Sequence, residues 1–424
     1  MGKEEDTFFL VGKVAGKKPG LRLALMNEIQ YRAQKSRVSP QKVEKGVSMR
    51  IGIQMVIQNH KDYSDREMYK HELRLAIEAE GMGYDILWPV EHHFFDYSIC
   101  PDNMQYLSYI AARTERIELA TGAIIVPWNN PMRMVEKMVL LDHLSDGRAV
   151  LGLGRGLARR EYRGFGVDMG EARERFNEAA EIIVKGVESG IVEANGKFYQ
   201  QERVEVRPRP FKTFKGRRYM VCMSPESFSV AASLGLGAML FSQMAWEKAA
   251  DAIWAYREEY RQKNNGEEAP PLHIADFVAC YTDPKKAEEV ARKYIAGYYW
   301  SVMEHYEMLG THFTGTGKSY EHYAKAAELM KAAGTDAVLD EFLNANLWGT
   351  PDTIIAKLHK RREVIGDFEV NGCFSYQSQP FDQVENCMRF FAKEVGPEIK
   401  SWKPQPQPRR TAVDVAATTA RVAK

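Results

Sequence analysis

The chain has 424 residues, 45% of them hydrophobic and 27% charged, with 58 Lys and Arg against 57 Asp and Glu. A formal net charge of +1 gives no electrostatic ground for nucleic acid or an anionic membrane surface, and no apolar run approaches transmembrane length. The 5 cysteines (Cys100, Cys222, Cys280, Cys373, Cys387) are widely spaced without a CxxC pair, which speaks against a zinc site or disulfide framework and for reduced thiols in the cytoplasm.

The start, Met1-Gly-Lys-Glu-Glu-Asp, lacks the basic and apolar regions of a secretory signal, which fits the same cytoplasmic expectation. Residues 1–48 are rich in Lys and Arg with Gly and Pro punctuation, and read as a basic arm. Strand-like and helix-like segments then alternate. Met49 to Ile57 is a predicted strand, Glu67 to Met82 an amphipathic helix closed by Gly81 and Gly83, and Asp85 to Val90 a buried strand. A helix over Asp102 to Arg113 precedes an apolar strand over Ile117 to Val126, and Pro131 opens a helix running to Leu144. Arg148 to Leu153 is the fourth strand, followed by a loop and a long helix over Glu171 to Glu188. Tyr219 to Cys222, Ala238 to Phe241, Ile274 to Cys280 and Gly372 to Tyr376 are later strands, and a helix spans about Glu226 to Leu234.

This alternation implies a parallel sheet with helices outside it, and about eight such units fit a TIM (β/α)8 barrel with insertions better than an open sheet. The barrel is expected over residues 49–400, with a disordered tail over 401–424 marked by Pro-Gln-Pro-Gln-Pro. Thr311 to Phe342, glycine-bearing and weakly apolar, falls outside the alternation and reads as an inserted active-site cover, with an ordinary surface excursion as the alternative.

Chemistry-bearing residues fall at predicted strand ends. Glu91-His92-His93-Phe94 follows the second strand, at the lip where such barrels place their sites. A histidine titrates near neutrality and can carry a proton or orient a substrate oxygen; Glu91 reads as support for a histidine. A metal reading of this run needs a third ligand that no nearby spacing supplies. Phe94, Phe95, Tyr97 and Trp128 follow the second and third strands, where aromatic loop residues suggest an apolar pocket. Residues 148–173 read RAVLGLGRGLARREYRGFGVDMGEAR, a strand running into Gly152-Leu-Gly154-Arg155-Gly156. That spacing does not match the GxGxxG of a nicotinamide dinucleotide fold.

Together with EHHF and with PMRMVEKMVLLDHLSDGR over residues 131–148, this stretch closely resembles the bacterial luciferase-like flavin-dependent monooxygenases, over roughly Met49 to Lys400. The resemblance implies a TIM barrel that takes reduced FMN, or in a related branch the deazaflavin F420, from outside the chain. It implies a C4a-(hydro)peroxyflavin that oxygenates an apolar organic substrate with O2, by Baeyer–Villiger insertion, hydroxylation or epoxidation. It further implies an NAD(P)H:flavin reductase as the source of FMNH2, and a homodimer formed through helices near the early strands, with Met132 to Leu144 as candidate interface.

Position by position, His92 and His93 match the paired histidines at the second strand, His92 being the one needed for activity. Arg155, beside Gly154, matches the arginine that holds the flavin phosphate, Ser224 and Ser227 match hydroxyl positions at the same phosphate, and Arg173 a further anion-contacting arginine. Gly122-Ala123 falls where the family has a non-proline cis peptide against the flavin ring. Tyr298 matches an aromatic near the flavin, beside Tyr299 and Trp300, which serve the pocket or the helix core alike. The residue types suit such a ligand, since a guanidinium fork, hydroxyls and a helix start all favour a phosphate, although Ser224 and Ser227 also read as a plain N-cap pair. Two departures stand out. Gly154 replaces a reactive cysteine of luciferase and Met223 replaces a glutamate, which argues against light emission. A flavin-binding homologue without turnover is the remaining alternative, opposed by the intact His92, His93 and Arg155.

Overall fold

The computed structural model describes residues 49–405, apart from 60–61 and parts of 311–333. The expected arm over 1–48 and the tail from 406 lie outside the described residues. Eight parallel strands close on themselves: β1 (Ile51–Met55), β2 (Ile86–Pro89), β3 (Glu118–Ala120), β4 (Ala149–Gly154), β5 (Arg218–Val221), β6 (Gly237–Phe241), β7 (Leu272–Cys280) and β8 (Phe368–Cys373), with β8 pairing back onto β1. The expected barrel is therefore the fold.

Strand side chains alternate between two cores. Ile51, Ile53 and Met55 of β1 face the helix layer, in one large cluster with Leu87, Leu119, Leu151 and Val370. The opposite set fills the barrel: Ile86, Trp88, Ala120, Val150, Tyr219 and Met239 pack together. Gly52 faces this interior because nothing larger fits; a Cβ there would lie 2.0 Å from Asn371 Oδ1. At the waist His273 Nε2 meets Gln54 Oε1 at 3.1 Å, and Gln54 Nε2 donates to Gly122 O at 3.2 Å.

Outside the strands lie α1 (Asp65–Met82), α2 (Asn103–Ala111), α3 (Pro131–Leu144), α4 (Arg159–Phe165), α5 (Ala172–Ser189), α6 (Pro225–Ser233) and α7 (Trp246–Lys263). Helix α1 starts in a capping box of Ser64 and Glu67 and ends at Gly83, whose φ of 96° suits a residue without a Cβ. After β7 come α8 (Pro284–Val290), a π turn and α9 (Ala296–His305), then α10 (Thr335–Ala345), α11 (Pro351–Ile365), α12 (Phe381–Glu394) and α13 (Gly396–Ser401). No helix among the described residues is long and apolar enough to cross a membrane. All five cysteines are buried free thiols.

Several boundaries differ from expectation. The run Ile117 to Val126 is not one strand; it breaks between Glu118–Ala120 and a short strand, Ile124–Ile125, around a cis peptide at Gly122-Ala123. The eighth strand is Phe368–Cys373, upstream of the expected 372–376, and the loop after β4 contains helix α4. An antiparallel hairpin, Ile191–Asn195 with Gln200–Glu205, was not anticipated. Trp402, expected in the tail, is buried in the main core. Parts of the expected cover over 311–342 lie outside the described residues; its end forms α10, which places Phe342 in the cluster around Tyr298 and Phe277.

Candidate active site

The loop after β2 is pinned by Glu91. Its carboxylate accepts from Ile125 N at 3.2 Å, Trp128 Nε1 at 3.0 Å and Asn129 Nδ2 at 3.1 Å, and lies 3.3 Å from His93 Nε2. The supporting role expected for Glu91 is what the geometry shows: it locks the loops after β2 and β3 together beside the two histidines. A buried carboxylate with four polar neighbours is fully engaged, as burial of a charge requires.

His92 turns the other way. Its Nδ1 lies 2.9 Å from Glu161 Oε1, on α4, and the same oxygen accepts from the backbone N–H of His93 at 2.8 Å. His92 Nε2 lies 3.4 Å from the Tyr306 hydroxyl. The imidazole edge packs against Tyr97 and His305, with ring centroids 4.9 and 5.0 Å away. His305 stacks flat on Tyr97 at 4.3 Å and 10°, and burial pushes its pKa down to about 2. Tyr97 and Tyr298 share a short hydroxyl–hydroxyl contact, and burial raises the pKa of Tyr97, Tyr298 and Tyr306 well above the usual phenol range. These tyrosines therefore act as neutral hydroxyls. One ligand atom each from His92, Glu161 and His305 lies within 4.8 Å of the others, the third-ligand proximity that sequence spacing could not supply.

Gly122-Ala123 is cis, as expected from the resemblance. Asn103 holds it from behind, donating through Nδ2 to Ala123 O at 3.1 Å and Pro89 O at 3.3 Å. Gly154, at the end of β4, faces this segment: a Cβ there would lie 2.9 Å from Ile125 Cδ1 and 3.3 Å from Ala123 Cβ. A side chain at position 154 thus requires Ile125 to move.

A second cluster is cationic. Arg155 and Arg173 are both buried, and the pKa of Arg173 is lowered by burial first and by the neighbouring Arg155 second. Arg173 Nε is 3.3 Å from Glu226 Oε2 outside hydrogen-bond geometry, and neither Nε nor Nη1 has a hydrogen-bond partner among the described residues. The Arg155 guanidinium lies 4.4 Å from the ring centroid of Tyr320, a residue of the inserted segment. Glu226 belongs to the first turn of α6, between Ser224 and Ser227. Those serines form a reciprocal cap: Ser224 N donates to Ser227 Oγ at 3.0 Å, Ser227 N to Ser224 Oγ at 3.3 Å, and the hydroxyls are 3.1 Å apart. The N-cap reading is thus present in the structure.

The aromatic candidates divide. Phe95 is half-buried, with its centroid 5.8 Å from His305 and the Arg160 guanidinium 4.2 Å from its ring. Trp128 stacks on Phe165 at 5.2 Å and crosses Tyr162. Phe94 is 65% exposed and lies against Phe165, outside the buried histidine cluster. Tyr299 packs into the core against Phe342, whereas Trp300 is exposed.

Glu161, His305, Tyr306 and Asn103 were missed as site residues. His305 sits seven residues after Tyr298 on α9, a spacing that returns to the same helix face. Glu161 was masked by its basic surroundings, Ala-Arg-Arg-Glu-Tyr-Arg.

Residues 49–367 match the family model described as luciferase-like monooxygenase. The chain is 25% identical, over 364 residues, to the alkanal monooxygenase alpha chain of Photorhabdus luminescens, covering 83% of this chain and 98% of that one. A monooxygenase from Streptomyces bottropensis superposes with a TM-score of 0.67 at 24% identity, covering 82% of this chain and 99% of that one. The oxygenating constituent of 3,6-diketocamphane monooxygenase from Pseudomonas putida, a type II Baeyer–Villiger enzyme solved with FMN, gives 0.63 at 18%, covering 83% and 99%.

Proposed function

The chain belongs to the luciferase-like monooxygenase family, and from that premise we propose that it oxygenates an apolar organic substrate with O2 and reduced FMN delivered by a separate NAD(P)H:flavin reductase. The observation that carries the cofactor assignment is Arg173, a buried guanidinium whose Nε and Nη1 lack a hydrogen-bond partner among the described residues, beside a second buried guanidinium, Arg155, with the half-exposed Glu226 as its one paired carboxylate. Two adjacent buried cations cost free energy unless an anion completes them, and a phosphate with several acceptor oxygens suits a pair of guanidinium forks.

In this reading Arg155 and Arg173 hold the phosphate, with Ser224 and Ser227 turning their hydroxyls from each other towards it. Gly154 lets β4 pack closely on the Gly122-Ala123 segment, whose backbone would face the ring. Reduced flavin, when bound, supplies the electrons that activate O2. His92 receives or returns a proton at Nε2, and His93, braced by Glu91, orients the substrate. Phe95, Trp128 and Tyr298 exclude water and define an apolar pocket; Phe94, exposed as it is, closes over the outer edge. A nicotinamide fingerprint is missing from the sequence, which supports an external reductase. Leu140 and Leu144, one helical turn apart on α3, are exposed together with Tyr109 on the adjoining α2, which supports a homodimer through this face.

The test is to mix the protein with FMNH2 without oxygen, admit air and follow the flavin spectrum, then assay apolar ketones, aldehydes and arenes for gain of one oxygen atom. A transient distinct from both reduced and oxidised flavin, with oxygenated product, is expected. Tight binding of F420 with no such transient would move the chain to the F420-using branch, and binding without turnover to the non-catalytic alternative.

A further inference from the structure

The buried corner behind His92 contains two ionisable groups that take no part in the chemistry proposed so far. Glu161 is 1% exposed and His305 0% exposed on their side chains, and His305 Nε2 stands 3.7 Å from Glu161 Oε1. Neither ring nitrogen of His305 has a hydrogen-bond partner among the described residues. The groups that face the His92 ring are Glu161 from α4, Tyr97 from the loop after β2, and His305 and Tyr306 at the end of α9. Arg160 lies near enough to His305 to disfavour its protonation.

Oxygen Oε1 of Glu161 has a fixed role. It accepts from the backbone N–H of His93 at 2.8 Å, and an amide can only donate. The same oxygen therefore meets His92 Nδ1, at 2.9 Å, as an acceptor. An imidazole that donates from Nδ1 must, when neutral, have its lone pair on Nε2. That nitrogen lies 3.4 Å from Tyr306, whose hydroxyl can donate to it.

We infer that Glu161 is a positioning residue, holding His92 in the Nδ1–H tautomer so that Nε2 is the basic atom offered to the pocket. This rests on His92 being the proton-handling residue of the proposed monooxygenase. A proton taken from substrate at Nε2 leaves the Nδ1 proton where it is, and the positive charge so created lies against the Glu161 carboxylate; returning the proton restores the neutral ring. His305 seals the far side. Held neutral by burial, it walls the carboxylate from water without competing as a counter-charge for it. Tyr97, stacked on His305, fixes that wall in place.

The experiment reads the tautomer directly, in the protein without flavin or substrate. In a sample labelled with 15N-histidine, the His92 ring signals are assigned by their loss in His92→Gln, and long-range correlations tell which nitrogen bears hydrogen. The expected result is Nδ1–H in the wild type, a shift to mainly Nε2–H in Glu161→Leu, and recovery of Nδ1–H in Glu161→Asp. In turnover, Glu161→Leu is expected to lower kcat by about 10- to 100-fold with little change in KM, and Glu161→Asp to regain part of it. An Nε2–H ring in the wild type overturns the inference even if Glu161→Leu fails to fold, and so does an unchanged tautomer in a folded Glu161→Leu. A divalent metal that survives dialysis and removes the Nδ1–H signal also overturns it, since His92, Glu161 and His305 would then be ligands. If the ring signals come out as expected but FMNH2 and air give no reaction, the tautomer assignment stands and the monooxygenase reading falls.

Discussion

At the N-terminal ends of the strands Arg50 lies among carboxylates: Nε donates to Glu369 Oε1 at 2.7 Å and Nη1 pairs with Glu118, while Arg217 nearby holds Asp142 at 2.7 Å. At the C-terminal ends Arg173 is buried just as surely, yet two of its nitrogens have no hydrogen-bond partner among the described residues, and its neighbours are another arginine and the half-exposed Glu226 carboxylate at 3.3 Å. In the first arrangement every guanidinium nitrogen of Arg50 meets a partner within the chain, although Glu369 Oε2 has none among the described residues. The second leaves donors over, and under the proposed function a bound phosphate would take them; the contrast then separates a cation satisfied for stability from one proposed to bind.

The comparison breaks most visibly at Arg50. Arg50→Met strands the buried Glu369 without its cation, and a loss of about 3–5 kcal/mol in urea unfolding is expected, with kcat per folded molecule unchanged. A loss below 1 kcal/mol would mean that the lower end is no more self-sufficient than the upper. Arg173→Gln should do the reverse. Stability is expected to hold within about 1 kcal/mol, because the buried charge removed is balanced only by the half-exposed Glu226 carboxylate, while the FMN dissociation constant rises about 10- to 100-fold through loss of charge-assisted bonds. Flavin fluorescence quenching measures it; unchanged affinity would remove Arg173 from the phosphate site.

A smaller effect distinguishes the ends from the waist. Burial lowers the pKa of His273 to about 3, with Arg50 adding to the shift, and that of His305 to about 2. Both are neutral in the fold, whereas in the unfolded chain they protonate below about pH 6.5. Unfolding thus takes up protons in acid: stability is unaffected above about 6.5 and falls as pH drops towards the folded values. Each group contributes about 1.4 kcal/mol per pH unit. Glu72, raised to about 7 by burial, works in the opposite sense between about 4.5 and 7. Unfolding curves for wild type and His273→Gln at pH 5 and 6 should differ in slope by one proton. The smallest change is at the α6 cap, where Ser224→Ala should cost about 1 kcal/mol of stability. It should also weaken FMN binding, whereas a pure capping role predicts the stability loss alone.

How much of this was legible in the sequence follows from which side chains the strands turn inward. Strands such as Ala149–Gly154 left continuous small and apolar runs between turn residues, so they were visible. Phe368–Cys373 was misplaced because Glu369 and Asn371 point into the barrel and interrupt its apolar run. The break within 117–126 was invisible for the opposite reason: every residue from Leu119 to Val126 is buried, whether in a strand or not. The hairpin over 191–205 is mostly solvated and offered little apolar signal. Within the site, motifs of adjacent residues were found. Glu161, 69 positions from His92, and His305 were not, since only closure of the barrel brings them together.

The buried thiols have a practical consequence. Burial raises the pKa of Cys100, Cys222, Cys280, Cys373 and Cys387 above the usual thiol range. Alkylating reagents attack thiolates, so in the native protein they find almost none. The rate of alkylation then becomes a clock for opening of the chain, and loss of activity to such reagents would report unfolding, never a missing catalytic group.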